Sequence, residues 1–486
     1  MLADHDHQTC TSVEPTPEGD PGPAGTAAVA DAAPVTGTGG RPSTPWWRRW
    51  PVAVATVAVL AVVVGVVVGV VVGVAVNQDD SAPAPGPSAE GPPTADPLGA
   101  DIAGIQAQLK ITPNNADSWA TLGLDYVQEA KNTVNPMYYP KADGALARSL
   151  QIAPTGNAAA LAGQAALRAA QHRFADSLAL AQQARALDPQ NSTIYGTLAD
   201  AYTQLGRYDD ARDAVQQMLN LHPGTPAYTR AEYVYELAGQ PDQARDLMNQ
   251  ALAEATTPAD IAFCRYYLAE LAFTGGDPTE ALHQIQLGTQ VDPRYPDLLE
   301  GQAKAEAALG QEAAAVADYA QLVASVPQPQ YVIEAGEYLQ SIGHVAEAQQ
   351  DYTLFDAENT LFTSNGVQLD TDPTLFYADH GDPAKALAAG EAGIRIRPFL
   401  EMDDAYAWAL HANGRDADAL TWSNKALATG MRNALFAFHR GMIENALGQK
   451  DAARTDLTTA LAINPHFNPL QVPVARAALA QLGGPR

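Results

Sequence analysis

Asn191 to Pro223 reads NSTIYGTLADAYTQLGRYDDARDAVQQMLNLHP. Tyr195, Leu198, Ala199 and Tyr202 recur at the three- and four-residue spacing that gathers side chains on one helical face. Gly206 ends that helix, because glycine tolerates the left-handed conformation of a C-terminal cap. Ala211, Val215, Met218 and Leu219 form the face of a second helix, and Pro223, which lacks an amide donor, stops it. Ala199 and Ala211 are small where the two helices must approach. The unit is a helical hairpin.

The same signal runs along the chain. Gly206, Gly239, Gly276, Gly310, Gly343, Gly381, Gly414 and Gly448 are each followed five residues later by alanine. Successive glycines are 33, 37, 34, 33, 38, 33 and 34 residues apart. A period near 34 marks a stack of hairpins, in which each unit buries its apolar face on its neighbours. Unit starts fall near residues 116, 158, 192, 225, 262, 296, 329, 367, 400 and 434. The seventh unit lacks a terminal proline and is expected to run into an irregular stretch, Asn359–Thr374. Ile102, Ile105, Leu109 and Ile111 ahead of the array, and Val474, Ala478 and Leu479 behind it, suit helices that cover its open ends.

Trp119, Leu122, Gly123 and Tyr126 match the W-x2-L-G-x2-Y pattern, and Pro154, Pro189, Pro293, Pro327, Pro398 and Pro465 close later units. The chain therefore resembles the tetratricopeptide repeat family over residues 98–486. The resemblance implies an all-α, right-handed superhelical solenoid of about ten hairpins. It also implies a non-catalytic scaffold that holds a peptide or protein segment in its concave groove. By the family's pattern the groove takes the second, fifth, ninth, twelfth and thirteenth positions of each unit. Those positions include Thr229, Tyr233, Glu236, Phe263, Tyr266, Glu270, Phe273, Glu300, Lys304 and Trp408. Aromatic anchors among carboxylates suit a segment with apolar and basic side chains. The fifth positions Ala120, Ala162, Gly196, Thr229 and Tyr266 lack the lysine with which some members clamp an acidic carboxy terminus.

The front of the chain has a different composition. Residues 1–45 are rich in Pro, Gly, Ala, Thr and Asp, show no periodicity and are expected to be disordered. Residues 46–77 contain the uncharged, valine-dominated run Pro51–Val76. As a helix this run reaches about 39 Å, enough to cross a ~30 Å hydrocarbon core with tilt. A signal peptide has a shorter apolar region, so an uncleaved anchor is the reading adopted. Arg41, Arg48 and Arg49 precede the run and Asp79 and Asp80 follow it, which places the amino terminus in the cytoplasm and the repeats outside. Trp46, Trp47 and Trp50 suit the headgroup layer. Ala61, Gly65, Gly69 and Gly73 recur every fourth residue, a stripe that lets two such helices approach closely and form a homodimer. Residues 78–97 carry six prolines and read as a semi-rigid spacer. The Ala, Gly, Val and Pro bias suggests a bacterial, membrane-anchored type.

The net charge of −27 disfavours nucleic acid or anionic lipid as partners. Cys10 and Cys264 fall on opposite sides of the expected membrane span, so the fold must be held by its core; Cys264 is expected to be buried. There is no phosphate loop, nucleophile elbow, H-E-x-x-H or C-x-x-C, so neither catalysis nor a cofactor is expected. The ten histidines are scattered, and His5, Asp6, His7 and Cys10 lack a matching second cluster for a metal. A membrane-anchored scaffold in envelope assembly or a receptor role is the expected function. The alternatives are an envelope spacer or a non-catalytic subunit of an enzyme complex.

Overall fold

The computed structural model describes residues 97–483 apart from 134, 369 and 370. The amino-terminal tail, the run Pro51–Val76 with its glycine stripe, and the spacer up to residue 96 lie outside the described residues. Pro97 opens the first helix instead of ending the spacer. The described residues form 22 helices and no strand, and none of these helices is long and apolar enough to cross a membrane.

The helix α1 (Pro97–Ile111) precedes ten hairpins. They are α2 (Ala116–Asn132) with α3 (Tyr138–Ile152), α4 (Ala158–Ala170) with α5 (Phe174–Leu187), α6 (Ser192–Gln204) with α7 (Tyr208–Leu221), α8 (Thr225–Leu237) with α9 (Pro241–Glu254), and α10 (Pro258–Thr274) with α11 (Pro278–Thr289). There follow α12 (Pro296–Ala308) with α13 (Glu312–Ser325), α14 (Pro329–Ser341) with α15 (Val345–Ser364), α16 (Thr371–Asp379) with α17 (Pro383–Ile396), α18 (Leu400–Ala412) with α19 (Asp416–Ala426), and α20 (Ala434–Ala446) with α21 (Lys450–Ile463). The last helix is α22 (Gln471–Gln481).

The repeat chemistry explains the hairpins. All eight repeat glycines have φ between 68° and 91°, the left-handed region that favours glycine. The alanine five residues on is at most 2% exposed in every unit, because it sits where the paired helices touch. The second hairpin uses His172 at the same turn, with φ 57°, so one of the scattered histidines does occupy a repeat position. Asn115, Asn157 and Asn191 accept from backbone amides at the starts of α2, α4 and α6. At the ends, Ile102 and Leu109 of α1 and Ala478 and Leu479 of α22 are buried, whereas Ile111 and Val474 are exposed. Cys264 is a free, buried thiol.

One expectation is corrected. Asn359–Ser364 is helical, the last part of the 20-residue α15. Without a proline to stop it, α15 runs on to Ser364, with Asn365 as its cap, and brings Phe362 into the core of the first hairpins beside Tyr139 and Leu146.

That packing is part of a larger regularity. The turn inside each of hairpins two to five meets the linker that follows the hairpin five places later. His172 Nδ1 lies 2.9 Å from the carbonyl of Gln368. Arg397 Nε donates to Gln204 Oε1 at 2.5 Å, and the Leu400 amide donates to the Tyr208 hydroxyl at 2.9 Å. A Cβ on Gly206 would stand 2.4 Å from the carbonyl oxygen of Pro398, one on Gly239 2.1 Å from that of Gly430, and one on Gly276 2.7 Å from that of Ile463. Successive turns of the coil therefore touch backbone to backbone, and the coil encloses a narrow interior.

Candidate binding interior of the coil

On α8, α10 and α12 the expected groove residues stand three, six, ten or thirteen residues before the repeat glycine. Nine of the ten expected groove residues share one neighbourhood. Thr229, Tyr233 and Glu236 lie on α8, Phe263, Tyr266, Glu270 and Phe273 on α10, and Glu300 and Lys304 on α12. They are far less exposed than an open groove implies: Tyr233, Phe263 and Tyr266 are 8% exposed, Phe273 is 7% and Glu300 is fully buried. Tyr266 meets Tyr267 edge to face at 5.2 Å, and Phe263 packs on Tyr267 at 4.5 Å. The Thr229 hydroxyl donates to its own helix at Pro226.

Across the interior, the Tyr233 hydroxyl donates to Glu401 Oε1 of α18 at 2.7 Å. Trp408, on that same helix, lies in a separate packed cluster. Its indole donates to Asp379 at 2.8 Å and stacks on His439 at 4.2 Å. His439 in turn pairs through Nδ1 with Asp404 at 2.7 Å, and Gln471 of α22 donates to Asp379 at 3.0 Å. Trp408 is thus pinned by its neighbours.

The electrostatics are one-sided. Lys304 is held by Glu270 at 2.8 Å and Glu300 at 2.7 Å, with its ammonium 5.1 Å from the Phe273 ring. Burial opposes the charge on Lys304, but Glu270, Glu300 and Glu334 outweigh it and hold its pKa well above the lysine range. Burial pushes Glu300 up to about 8, against the pull of Lys304. Burial, with the charges of Glu401 and Glu270, pushes Glu236 up to about 7. Glu232 is raised well above the carboxylate range by burial and by Glu236. Thus buried carboxylates outnumber cations around Glu236, Glu270 and Glu300.

Sequence reading passed over Glu232, Asp297 and Glu401. Asp297 and Glu401 stand thirteen residues before their repeat glycines, the offset of Phe263, so counting back from the glycine would have found both. Glu232 lies seven residues before Gly239, an offset held by buried alanine in the next two units, Ala269 and Ala303, and no positional rule marks it. Among the described residues no group of three or more His, Cys, Asp or Glu side chains is placed to hold a metal ion.

Models of the tetratricopeptide repeat match residues 168–232 and 234–289. No curated protein matches the chain. Among solved structures, a thermophilic TPR protein of Thermus thermophilus is 24% identical, with 38% of this chain and 98% of that one covered and a TM-score of 0.34. A tetratricopeptide repeat protein of Parabacteroides merdae is 17% identical, with 54% and 99% covered and a TM-score of 0.32. Yeast Tom70 is 14% identical, with 79% and 92% covered and a TM-score of 0.33. Tetratricopeptide repeats are therefore recognised in this chain. An all-helical stack of such repeats is a scaffold suited to protein–protein interaction, and repeats of this kind typically serve without catalysis.

Proposed function

We propose that the chain is a membrane-anchored scaffold, with one span at Pro51–Val76, the amino terminus in the cytoplasm and the repeats outside it. The coil interior receives an extended protein segment bearing basic and apolar side chains, in envelope assembly or as a receptor. The observation that carries this reading is the inner face of α8, α10 and α12, where aromatic rings and an excess of carboxylates line one enclosed surface. Such a surface is costly to leave dry and unpaired, and a segment with apolar and cationic groups offsets that cost. Orientation rests on the arginines before the span and the aspartates after it.

Cross-linking and co-purification of the detergent-solubilised full chain test the partner. Wild-type protein should retain a protein that Glu270→Gln/Glu300→Gln loses, and equal recovery by both would refute a role for the interior. Protease added to spheroplasts should remove the repeats and spare the amino terminus. Digestion of the tail with survival of the repeats would overturn the topology.

A further inference from the structure

The two end helices have the features of the two halves of one hairpin. α1 closes as second helices do: Ile111-Thr112-Pro113-Asn114-Asn115 repeats the pattern of Leu187-Asp188-Pro189-Gln190-Asn191, and Asn115 and Asn191 each cap the first helix that follows. α1 also packs as a second helix. Gln106 Nε2 donates to the Tyr126 hydroxyl of α2 at 2.7 Å, as Gln182 of α5 donates to the Tyr202 hydroxyl of α6 at 3.2 Å. Both glutamines stand five residues before the end of their helix. α22 closes as first helices do. Gly483, 35 residues after Gly448, has φ 76°, and its amide donates to the Ala480 carbonyl as that of Gly448 donates to Asn445. α22 packs on α20 and α21, the place of the first helix of an eleventh hairpin. Nine residues before Gly483, Val474 is 46% exposed, whereas Ala405 and His439 at that offset are fully buried.

The seam between turns of the coil is likewise half used. Hairpins two to five press their turns on the linkers after hairpins seven to ten, but nothing lies within 4 Å of a Cβ built on Gly310, Gly343, Gly381, Gly414 or Gly448. Ile463, which ends α21 inside the seam, is 9% exposed, whereas Ile111, which ends α1 outside it, is 83% exposed. Leu187, which ends α5, is exposed as well. Two residues after the turn glycine, Val345 is 63% exposed, while the Tyr208 hydroxyl at that offset takes the Leu400 amide. Leu309 and Leu447, just before Gly310 and Gly448, are exposed too. Bare apolar side chains therefore lie on both unused edges of the seam.

We propose that copies of this chain join head to tail, with α22 of one copy and α1 of the next forming one composite hairpin. The screw of the coil fixes the rest of the contact. Each turn meets the linker that follows the hairpin five places later. With the composite hairpin in eleventh place, the turn of hairpin six meets the end of the next copy's α1. That brings Leu309 to the next copy's Ile111, as Gly276 meets Ile463 within one chain. The turns of hairpins seven to ten meet the linkers after the next copy's first four hairpins, which covers Val345, Leu447 and the next copy's Leu187. Exposed apolar side chains gathered along an edge mark an interaction surface. The occupant is a second copy, because the closed seam inside the chain already shows how one edge fits the other. Such a contact joins different patches on two copies, so it does not close and grows into a string of copies. The inference stands apart from what the interior holds and from the span.

Cysteine cross-linking of the detergent-solubilised full chain reads the register. All variants carry Cys10→Ser, and Cys264 is buried. Leu309→Cys and Ile111→Cys chains should each cross-link poorly alone and join into dimers when mixed with a short bis-maleimide. Gln217→Cys, exposed in the middle of α7, should not join to Leu309→Cys. Sedimentation equilibrium measures the strength in a Gly65→Ile/Gly73→Ile background, which removes the glycine stripe of the span. Mass should still rise with concentration there. Ile111→Asp and Leu309→Asp should each raise the dissociation constant about tenfold or more, as loss of an apolar anchor at an interface does. Both positions are exposed in the single chain, so circular dichroism should show these variants folded. Leu309→Cys chains joining one another as readily as they join Ile111→Cys chains would show a two-fold contact and refute head-to-tail assembly. Absence of cross-links in the mixture, or a dissociation constant unchanged by Ile111→Asp, refutes it equally.

Discussion

Gly239→Ala separates two roles that one residue type plays in this coil. At every repeat glycine, alanine must adopt a left-handed φ, which costs roughly 1–2 kcal/mol for an L-residue. At Gly448, φ is 75° and nothing lies within 4 Å of a built Cβ, so that cost stands alone. At Gly239, φ is 70°, and the Cβ would stand 2.1 Å from the Gly430 carbonyl oxygen and 3.0 Å from its carbon. Those atoms are backbone and cannot rotate away, so the two turns of the coil must separate. Forcing an extra carbon into a filled contact adds about 1–3 kcal/mol. Gly239→Ala should therefore destabilise by about 2–5 kcal/mol and Gly448→Ala by about 1–2 kcal/mol. Urea titrations followed by circular dichroism compare them, with Gly206→Ala and Gly414→Ala as a second pair of the same kind. Small-angle scattering at low denaturant should show a larger radius of gyration for Gly239→Ala than for Gly448→Ala. Equal losses at Gly239 and Gly448, with no expansion, would mean that the turns do not touch.

Other consequences follow from burial and charge. Tyr266→Ala and Phe273→Ala remove rings that are 8% and 7% exposed. Each should cost about 3–5 kcal/mol, the range for a large aromatic lost from a core, and melting temperatures unchanged from wild type would show that the rings face solvent. The raised carboxyls give stability a definite pH dependence. A group whose folded pKa exceeds its unfolded value stabilises most fully below the unfolded value, and that contribution is lost as pH rises through the folded one. With Glu300 raised from 4.5 to about 8 and Glu236 from 4.5 to about 7, the melting temperature should fall between about pH 5 and about pH 8.5. Glu300→Gln should flatten the profile, and a melting temperature that rises over this range would refute the buried acid excess. Finally, a transmembrane self-association reporter should lose signal with Gly65→Ile/Gly73→Ile if the stripe Ala61, Gly65, Gly69 and Gly73 mediates a homodimer, and equal signal from the native span would end that proposal.

Much of the architecture was legible because each hairpin is a local object. The Gly–Ala pair marks the turn and the close approach of two helices nearly adjacent in sequence, so ten starts could be placed. Eight first helices begin within a residue of those positions. α10 begins four residues earlier, where the Thr257 hydroxyl accepts from the Asp260 amide, and α16 four residues later. The candidate site was half legible. Repeat offsets put Tyr233, Phe263, Tyr266, Glu270 and Lys304 on the inner face, but exposure could not be read from them, since an inner face is open or closed according to how tightly the coil winds. That winding accumulates over five hairpins from small rotations at each interface, and no local residue encodes it. Gly206, Gly239 and Gly276 look the same in sequence as Gly310, Gly343 and Gly414, yet only the first three press on the next turn. The sequence by itself determined the repeat, the hairpins and the acidic character of the inner face. Only the tertiary structure decided that α18 closes over α8 and that Glu401 meets Tyr233, because contacts between residues 168 or more apart depend on the pitch of the whole coil.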